Sequence, residues 1–353
     1  MHNTGEKIRV LVADDSAFMR KVLSDIINSD SDLEVVGTAR NGEEALQKAL
    51  TLQPDVITLD VEMPVLDGLS TLEKIMEQYP VPVIMLSALT RAGASATISA
   101  LERGAVDFLA KPGGSISLDI GKSKEEINNK IRMAAEIPRH KCKNCRQDSL
   151  GLQKKNYINR TFSPNVFTLV AIGTSTGGPK ALHEVISRIP ADLNAALFIV
   201  QHMPPGFTKS LAQRLDSISP LAIKEAEEGD EVKNGFAYIA PGNYHMEVLP
   251  RQEKLFIHLH QGPNVNGHRP SVDVLMHSVA RINAPKVGVI MTGMGHDGAQ
   301  GMLALKKAGA INIGESPETC VVYGMPKAAM QLGAVDYEVP VQEIAERIVQ
   351  ALR

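Results

Sequence analysis

With 353 residues the chain is too long for one ordinary hydrophobic core, and two domains of roughly 100–200 residues each are expected. Its 44% hydrophobic and 22% charged residues are globular, and a net charge of -3 supplies no basic field for nucleic acid. No apolar run approaches the roughly 18 residues that span a bilayer, the N-terminus lacks a basic-then-apolar leader, and three cysteines cannot form a disulfide framework. These features predict a cytoplasmic, reduced, monomeric protein with no nucleic-acid partner and no direct membrane insertion.

In chain order, the apolar runs "IRVLVAD", "LEVVGTA", "DVITLD", "PVIMLS" and "DFLAKP" alternate with helical patterns such as "SAFMRKVLSDIIN". In that helix Phe18, Val22, Leu23 and Ile26 are expected on one face. Five apolar strands separated by helices imply a parallel sheet covered on both sides. Residues 113–162 pass from a glycine turn through a polar helix to a basic stretch with few apolar anchors, as an exposed linker does. From Val166 a second α/β unit begins, with strand-like runs "VFTLVAI", "AALFIVQH", "AYIAPG", "LFIHLH" and "KVGVIMTGM" and helices around 179–188, 207–217, 271–282 and 298–308. The fold class is therefore α/β: a flavodoxin-like unit at 8–118, a linker at 119–162, and a doubly wound, mostly parallel α/β unit at 163–353.

In the first unit Asp14 and Asp15 follow the first strand, Asp60 ends the third, Ser87 ends the fourth and Lys111 follows the fifth. Open parallel sheets gather ligands at the carboxyl ends of their strands. Three converging carboxylates call for a cation, and hard oxygen ligands favour Mg²⁺ or Mn²⁺. A lysine and a hydroxyl beside them form a place to hold a phosphoryl group. Any one of these aspartates alone reads as a turn or helix cap; five matched positions at strand ends do not. The pieces "VADDS", "DVEMPVLDG", "LSA" and "FLAKP" resemble response-regulator receiver domains. That resemblance implies that Asp60 accepts phosphate from a histidine kinase, that Asp14 and Asp15 help to hold Mg²⁺, that Lys111 and Ser87 contact the phosphoryl group, and that Phe108 is a switch aromatic. It also implies a cis peptide before Pro112.

In the second unit "GTSTGGPKAL" raises three possibilities. Pro179 stands where a phosphate-binding NTPase loop needs lysine, and Ser175 stands where a dinucleotide fold needs glycine. Gly173, Ser175 and Gly177 fit G-x-S-x-G between a strand and a helix, the setting of a nucleophile elbow, although a plain N-cap serine fits as well. A nucleophilic serine needs a base and an orienting acid. His202 and Asp297 both lie at the carboxyl ends of expected strands, where they can meet Ser175. His258, His260 and His268 raise a metal site that lacks acidic or thiol partners at ligand spacing. Asp230 and Asp273 fit turn or helix caps, and His296 is expected to face solvent. Cys142 and Cys145 have CxxC spacing without a second pair, as incidental linker thiols would.

The order Ser, His, Asp departs from α/β-hydrolases, chymotrypsin and subtilisin alike. It agrees with the chemotaxis protein-glutamate methylesterases of the CheB type, which the second unit resembles through "GTSTGGP", "QHMPPGFT", "YIAPGNYHM", "NGHRPSVDVL" and "GMGHDGAQG". The resemblance implies Ser175 as nucleophile, His202 as base and Asp297 as its orienter. An oxyanion region would lie at Thr176, Met294 and Gly295. The implied reaction is hydrolysis of glutamyl methyl esters on the cytoplasmic domains of methyl-accepting chemoreceptors, with glutamine deamidation beside it. Mg²⁺ would serve the receiver, and the esterase step would use no cofactor. The unphosphorylated receiver is expected to block the Ser175 cleft. The alternatives are a catalytically degenerate adaptor and a DNA-binding regulator, the latter without a basic recognition helix in this chain.

Overall fold

The structure is a computed structural model that describes residues 6–88, 90–111, 120–139 and 167–352. The chain divides into two compact units, Met1–Gln153 and Lys154–Arg353. The first runs β1 (Ile8–Ala13), α1 (Ala17–Asn28), β2 (Leu33–Ala39), α2 (Gly42–Leu52), β3 (Val56–Asp60), α3 (Gly68–Gln78), β4 (Val83–Ser87), α4 (Arg91–Glu102), β5 (Asp107–Ala110) and α5 (Ile120–Ala135). Its strands form a parallel sheet in the order β2-β1-β3-β4-β5. β1 and β3 are neighbours although β2 lies between them in sequence, so the strand order reverses there. Asp14 and Asp60 stand at that reversal.

Local chemistry ends these elements where the sequence breaks. Ser16, Asn41, Asp67 and Thr90 each cap a helix by accepting an amide hydrogen with the side chain. α1 differs from expectation in the face it buries: Met19, Leu23 and Ile27 go into the core, and Phe18 remains 55% exposed. Both sets have helical spacing, and packing against β1 and β2 selects the second.

A larger correction concerns α5, expected within a linker beginning at residue 119. Its Ile127, Ile131 and Ala134 are buried. Lys130 contacts Asp107 and the Phe108 carbonyl, and Arg132 pairs with Asp30. The helix covers the sheet of the first unit, so that unit extends beyond residue 118. Mean polarity hid this, because three apolar residues on one face suffice to dock a helix whose other faces are charged. Pro112 with its preceding peptide, and Cys142 with Cys145, lie outside the described residues.

The second unit runs β6 (Thr168–Thr174), α6 (Gly178–Ile186), β7 (Ala195–Gln201), α7 (Phe207–Asp216), β8 (Ala222–Glu225), β9 (Phe236–Ile239), β10 (His245–Arg251), β11 (Lys254–His260), α8 (Val272–Ala280), β12 (Lys286–Ile290), α9 (Ala299–Lys307), β13 (Ile311–Glu315), α10 (Met325–Gln331), β14 (Tyr337–Val339) and α11 (Val341–Ala351). Seven strands pair in the order β14-β13-β12-β6-β7-β9-β8, all in parallel. β6, β7 and β12 are buried along their whole length, which is why they read as unbroken apolar runs. "LFIHLH" is not in that sheet: as β11 it pairs antiparallel with β10. Only Gln252 and Glu253 join the two strands, too short a link for a parallel crossover. No helix among the described residues is long and apolar enough to cross a membrane.

Candidate functional site

The geometry around Ser175 starts with β6. Its neighbours are β7 on one side and β12 on the other. Ser175 directly follows β6, His202 directly follows β7, and Asp297 lies in the loop after β12. The sheet thus delivers all three to one edge, at the point where strand order reverses. The His202 amide donates to the Thr174 carbonyl (3.3 Å), and Gln201 Nε2 donates to the Ser175 carbonyl (2.9 Å). These bonds tie the ends of β6 and β7 together.

His202 Nε2 lies 2.8 Å from Asp297 Oδ2, with the two side chains 6% and 1% exposed. A carboxylate only accepts, so Nε2 carries the proton. Nδ1 is buried and has no hydrogen-bond partner among the described residues. The imidazole therefore presents its basic lone pair at Nδ1. His268 stacks on the ring, with centroids 3.8 Å apart and planes 10° from parallel.

Asp297 is held by residues to which sequence reasoning gave no such role. Oδ1 accepts from Ser271 Oγ (2.7 Å), Asn266 Nδ2 (2.9 Å) and the Asp273 amide (3.2 Å). Oδ2 also accepts from the Val272 amide (2.7 Å), so the carboxylate sits on the N-terminus of α8. Burial raises its pKa, but the bonds from His202, Asn266 and Val272 outweigh burial and hold it well below the ordinary carboxylate range. The available signal was Ser271, a serine just before the apolar run of α8, which caps it.

A second support is Thr292. Its carbonyl accepts the Ser175 amide (3.0 Å) and Thr174 Oγ1 (3.2 Å), and its hydroxyl donates to the Thr176 carbonyl (2.9 Å). The Thr292 amide donates to buried Glu315 Oε2 (2.8 Å). The Ser175 amide is therefore engaged away from any bound carbonyl, and Gly178 donates to the Ser175 carbonyl (2.8 Å). By contrast, the amides of Met294 and Gly295 have no partner among the described residues. Gly177 has φ +78°, which explains glycine at that turn. A Cβ on Gly293 would lie 2.8 Å from Ser175 Cβ.

The remaining candidates separate. His296 is exposed, Asp273 accepts the Gly301 amide at the start of α9 (2.6 Å), and Asp230 accepts the Glu227 amide (2.8 Å). His258 contacts Glu228 (3.2 Å), whereas His268 stacks on His202, so the three histidines raised as a metal site do not converge.

In the first unit one ligand atom each from Asp14, Asp15 and Asp60 lie within 4.8 Å of one another. Lys111 Nζ reaches Asp14 Oδ2 (2.9 Å) and Asp60 Oδ2 (2.6 Å). Burial, opposed by Lys111 and reinforced by Asp14, pushes the Asp60 pKa up to about 6. Two buried carboxylates sharing one ammonium, with an exposed third beside them, leave negative charge that a divalent cation would offset, so the donor set fits Mg²⁺. Ser87 is fully buried at the end of β4, and Phe108 is 4% exposed with Lys130 Nζ 5.3 Å from its ring centre.

Comparison with known proteins finds a separate family for each unit. A family model described as CheB methylesterase matches residues 170–348, and one described as response regulator receiver domain matches residues 10–119. A protein-glutamate methylesterase/protein-glutamine glutaminase of Pyrococcus horikoshii is 52% identical, covering 99% of this chain and 94% of its own. One of Oceanobacillus iheyensis is 49% identical over 98% of this chain and 99% of its own. The crystal structure of the Thermotoga maritima CheB methylesterase catalytic domain superposes with a TM-score of 0.51 at 46% identity, covering 52% of this chain and 97% of that one.

Proposed function

The chain belongs to the CheB methylesterase family and carries a receiver domain ahead of the catalytic one, and we infer from this that Ser175, His202 and Asp297 are its catalytic triad. It is a protein-glutamate methylesterase and protein-glutamine glutaminase of chemotaxis. The observation that carries the triad is the fixed imidazole: Nε2–H is committed to Asp297, and Nδ1 is buried with its lone pair unengaged.

In the proposed reaction Ser175 Oγ attacks the γ-carbonyl of a receptor glutamyl methyl ester and passes its proton to His202 Nδ1. Asp297 keeps the ring in its tautomer and stabilises the imidazolium. The tetrahedral oxyanion faces the Met294 and Gly295 amides, with the Thr176 turn alongside; each such donor is worth about 10²–10³ in rate. Collapse breaks the ester C–O bond, and His202 returns the proton to give methanol. Water, deprotonated by His202, then hydrolyses the acyl-serine to glutamate. With a glutamine substrate the same steps release ammonia.

Asp60 is the proposed phosphorylation site, with a histidine kinase as donor. Asp14, Asp15 and Asp60 would hold Mg²⁺, which when bound supplies charge neutralisation for phosphoryl transfer. Lys111 and Ser87 would hold the phosphoryl oxygens. The added charge of roughly -1.5 to -2 would reset the loops carrying Ser87 and Phe108 and lift inhibition by the receiver. A receptor cytoplasmic domain as substrate places the enzyme in the cytoplasm. The test is methanol release from methylated receptor by wild-type and Ser175→Ala chains, with and without a small phosphodonor and Mg²⁺. Release that persists in the folded Ser175→Ala chain rules out the triad.

A further inference from the structure

His245 opens β10 and is 1% exposed. Its ring nitrogens are both committed. Nε2 lies 3.0 Å from the Pro263 carbonyl, and Nδ1 accepts the Ser271 amide at 3.2 Å. A carbonyl can only accept and a backbone amide can only donate, so the ring must be neutral with its proton on Nε2.

The two strands of chain that His245 joins are those that hold Asp297. Ser271 donates to Asp297 Oδ1 and caps α8, whose Val272 and Asp273 amides also donate to that carboxylate. Pro263 lies three residues before Asn266, whose Nδ2 bridges Asp297 Oδ1 (2.9 Å) and Asp273 Oδ2 (2.8 Å). We propose that His245 is a positioning residue that clamps both donor segments onto Asp297, and that protonation of its ring opens the clamp and disables His202. A second proton would sit on Nδ1 and face the Ser271 N–H, turning an attraction into donor against donor.

The surroundings favour the neutral ring. Burial holds the His245 pKa below the ordinary histidine value; the Pro263 bond opposes this, His260 and Arg269 add to it, and Asp297 opposes it. From β11, His260 faces the ring with centroids 5.2 Å apart and has Glu247 beside it at 3.6 Å. The segment after β11 contributes Arg269, tied to the Gly262 carbonyl (2.8 Å), and the loop after β12 contributes Asp297. Protonation of His245 therefore belongs to the acid end of the activity range.

The proposal rests on Asp297 orienting His202, so Asp297→Asn is measured alongside. The assay is methanol release from methylated receptor cytoplasmic fragment by the full chain, as kcat and KM from pH 4.5 to 8.5. In wild type, kcat falls with the second power of proton concentration at the acid end. His245→Asn, whose carbonyl can still accept the Ser271 amide but which cannot be protonated, falls with the first power only. At pH 8 its kcat drops about fivefold with KM within twofold. An acid limb of unchanged slope and midpoint in His245→Asn, with Asp297→Asn inactive, overturns the clamp and leaves the triad standing. Full activity of Asp297→Asn overturns the triad itself. Imidazole NMR of the wild-type chain needs no folded variant: His245 must hold the Nε2–H tautomer wherever kcat is maximal. A protonated His245 at full kcat overturns the proposal.

Discussion

Asp60→Asn is expected to stabilise the receiver, by an amount the geometry sets. Asp60 is 2% exposed, and its pKa rises from 3.8 to about 6. At about 1.4 kcal/mol per pH unit, holding the charged form in the fold costs about 3 kcal/mol relative to the protonated one. The native state binds more protons than the unfolded chain between those two values, so stability falls as pH rises through that window and the full cost is present above it. Asparagine is neutral, nearly isosteric, and still offers an oxygen to the Glu62 amide now 3.3 Å from Asp60 Oδ1. Lys111 keeps Asp14 as its partner. At pH 7.5 without Mg²⁺, amides of β3 and β4 that exchange by global opening should slow about 10²-fold in Asp60→Asn. Hydrogen exchange with mass spectrometry on the full chain reads this peptide by peptide. At pH 4 the two proteins should exchange alike, because wild-type Asp60 is then protonated in the native state. Equal exchange at pH 7.5, or a gain as large at pH 4, refutes the assignment of this cost to the Asp60 charge.

Asp297→Asn should lower kcat by about 10³–10⁴ with little change in KM, since an amide that donates to Nε2 selects the wrong tautomer; steady-state methanol release checks it. Because Asp297 has a depressed pKa, its contribution to stability is present above the ordinary carboxylate value and disappears as pH falls, so acid unfolding of the catalytic unit should be less steep in the variant. Gly293→Ala places a methyl 2.8 Å from Ser175 Cβ and 2.3 Å from Met325 Sδ. It should cut kcat at least tenfold while circular dichroism stays that of wild type; unaltered kcat would mean that the Ser175 side is free to shift. Thr292→Val removes the hydroxyl that bonds the Thr176 carbonyl and accepts the Val322 amide. A loss of about 1–3 kcal/mol in urea unfolding is expected from the buried groups left unpaired.

What could be read from the sequence was whatever stands at a strand's carboxyl end. Asp14, Asp60, Lys111, Ser175 and His202 each directly follow or end an apolar run, and parallel sheets make those positions converge whatever fills the chain between. The supports were illegible for the opposite reason. Thr292 meets Thr176 across a sequence separation of 116, and Ser271 meets Asp297 across 26. A threonine or a serine has no pattern that announces a partner so distant. The face of α1 and the docking of α5 failed on periodicity alone, because two overlapping stripes fit α1 and three apolar residues carried α5.

The oxyanion region shows how this division sharpens a mechanism. The resemblance implied an oxyanion region at Thr176, Met294 and Gly295, and G-x-S-x-G says nothing about which amides of the turn are free. The structure engages the Ser175 amide with Thr292 and the Gly178 amide with the Ser175 carbonyl. An amide already donating at 3.0 Å and 2.8 Å must break that bond before it can serve an oxyanion, which removes the preorganisation that makes such donors effective. The Met294 and Gly295 amides carry no such debt. They lie just after Gly293, whose missing side chain lets this loop approach Ser175. In the proposed mechanism the glycines of the turn would therefore serve to bring backbone close to Ser175, while the developing charge would be met from the loop after β12, on the same stretch that ends in Asp297.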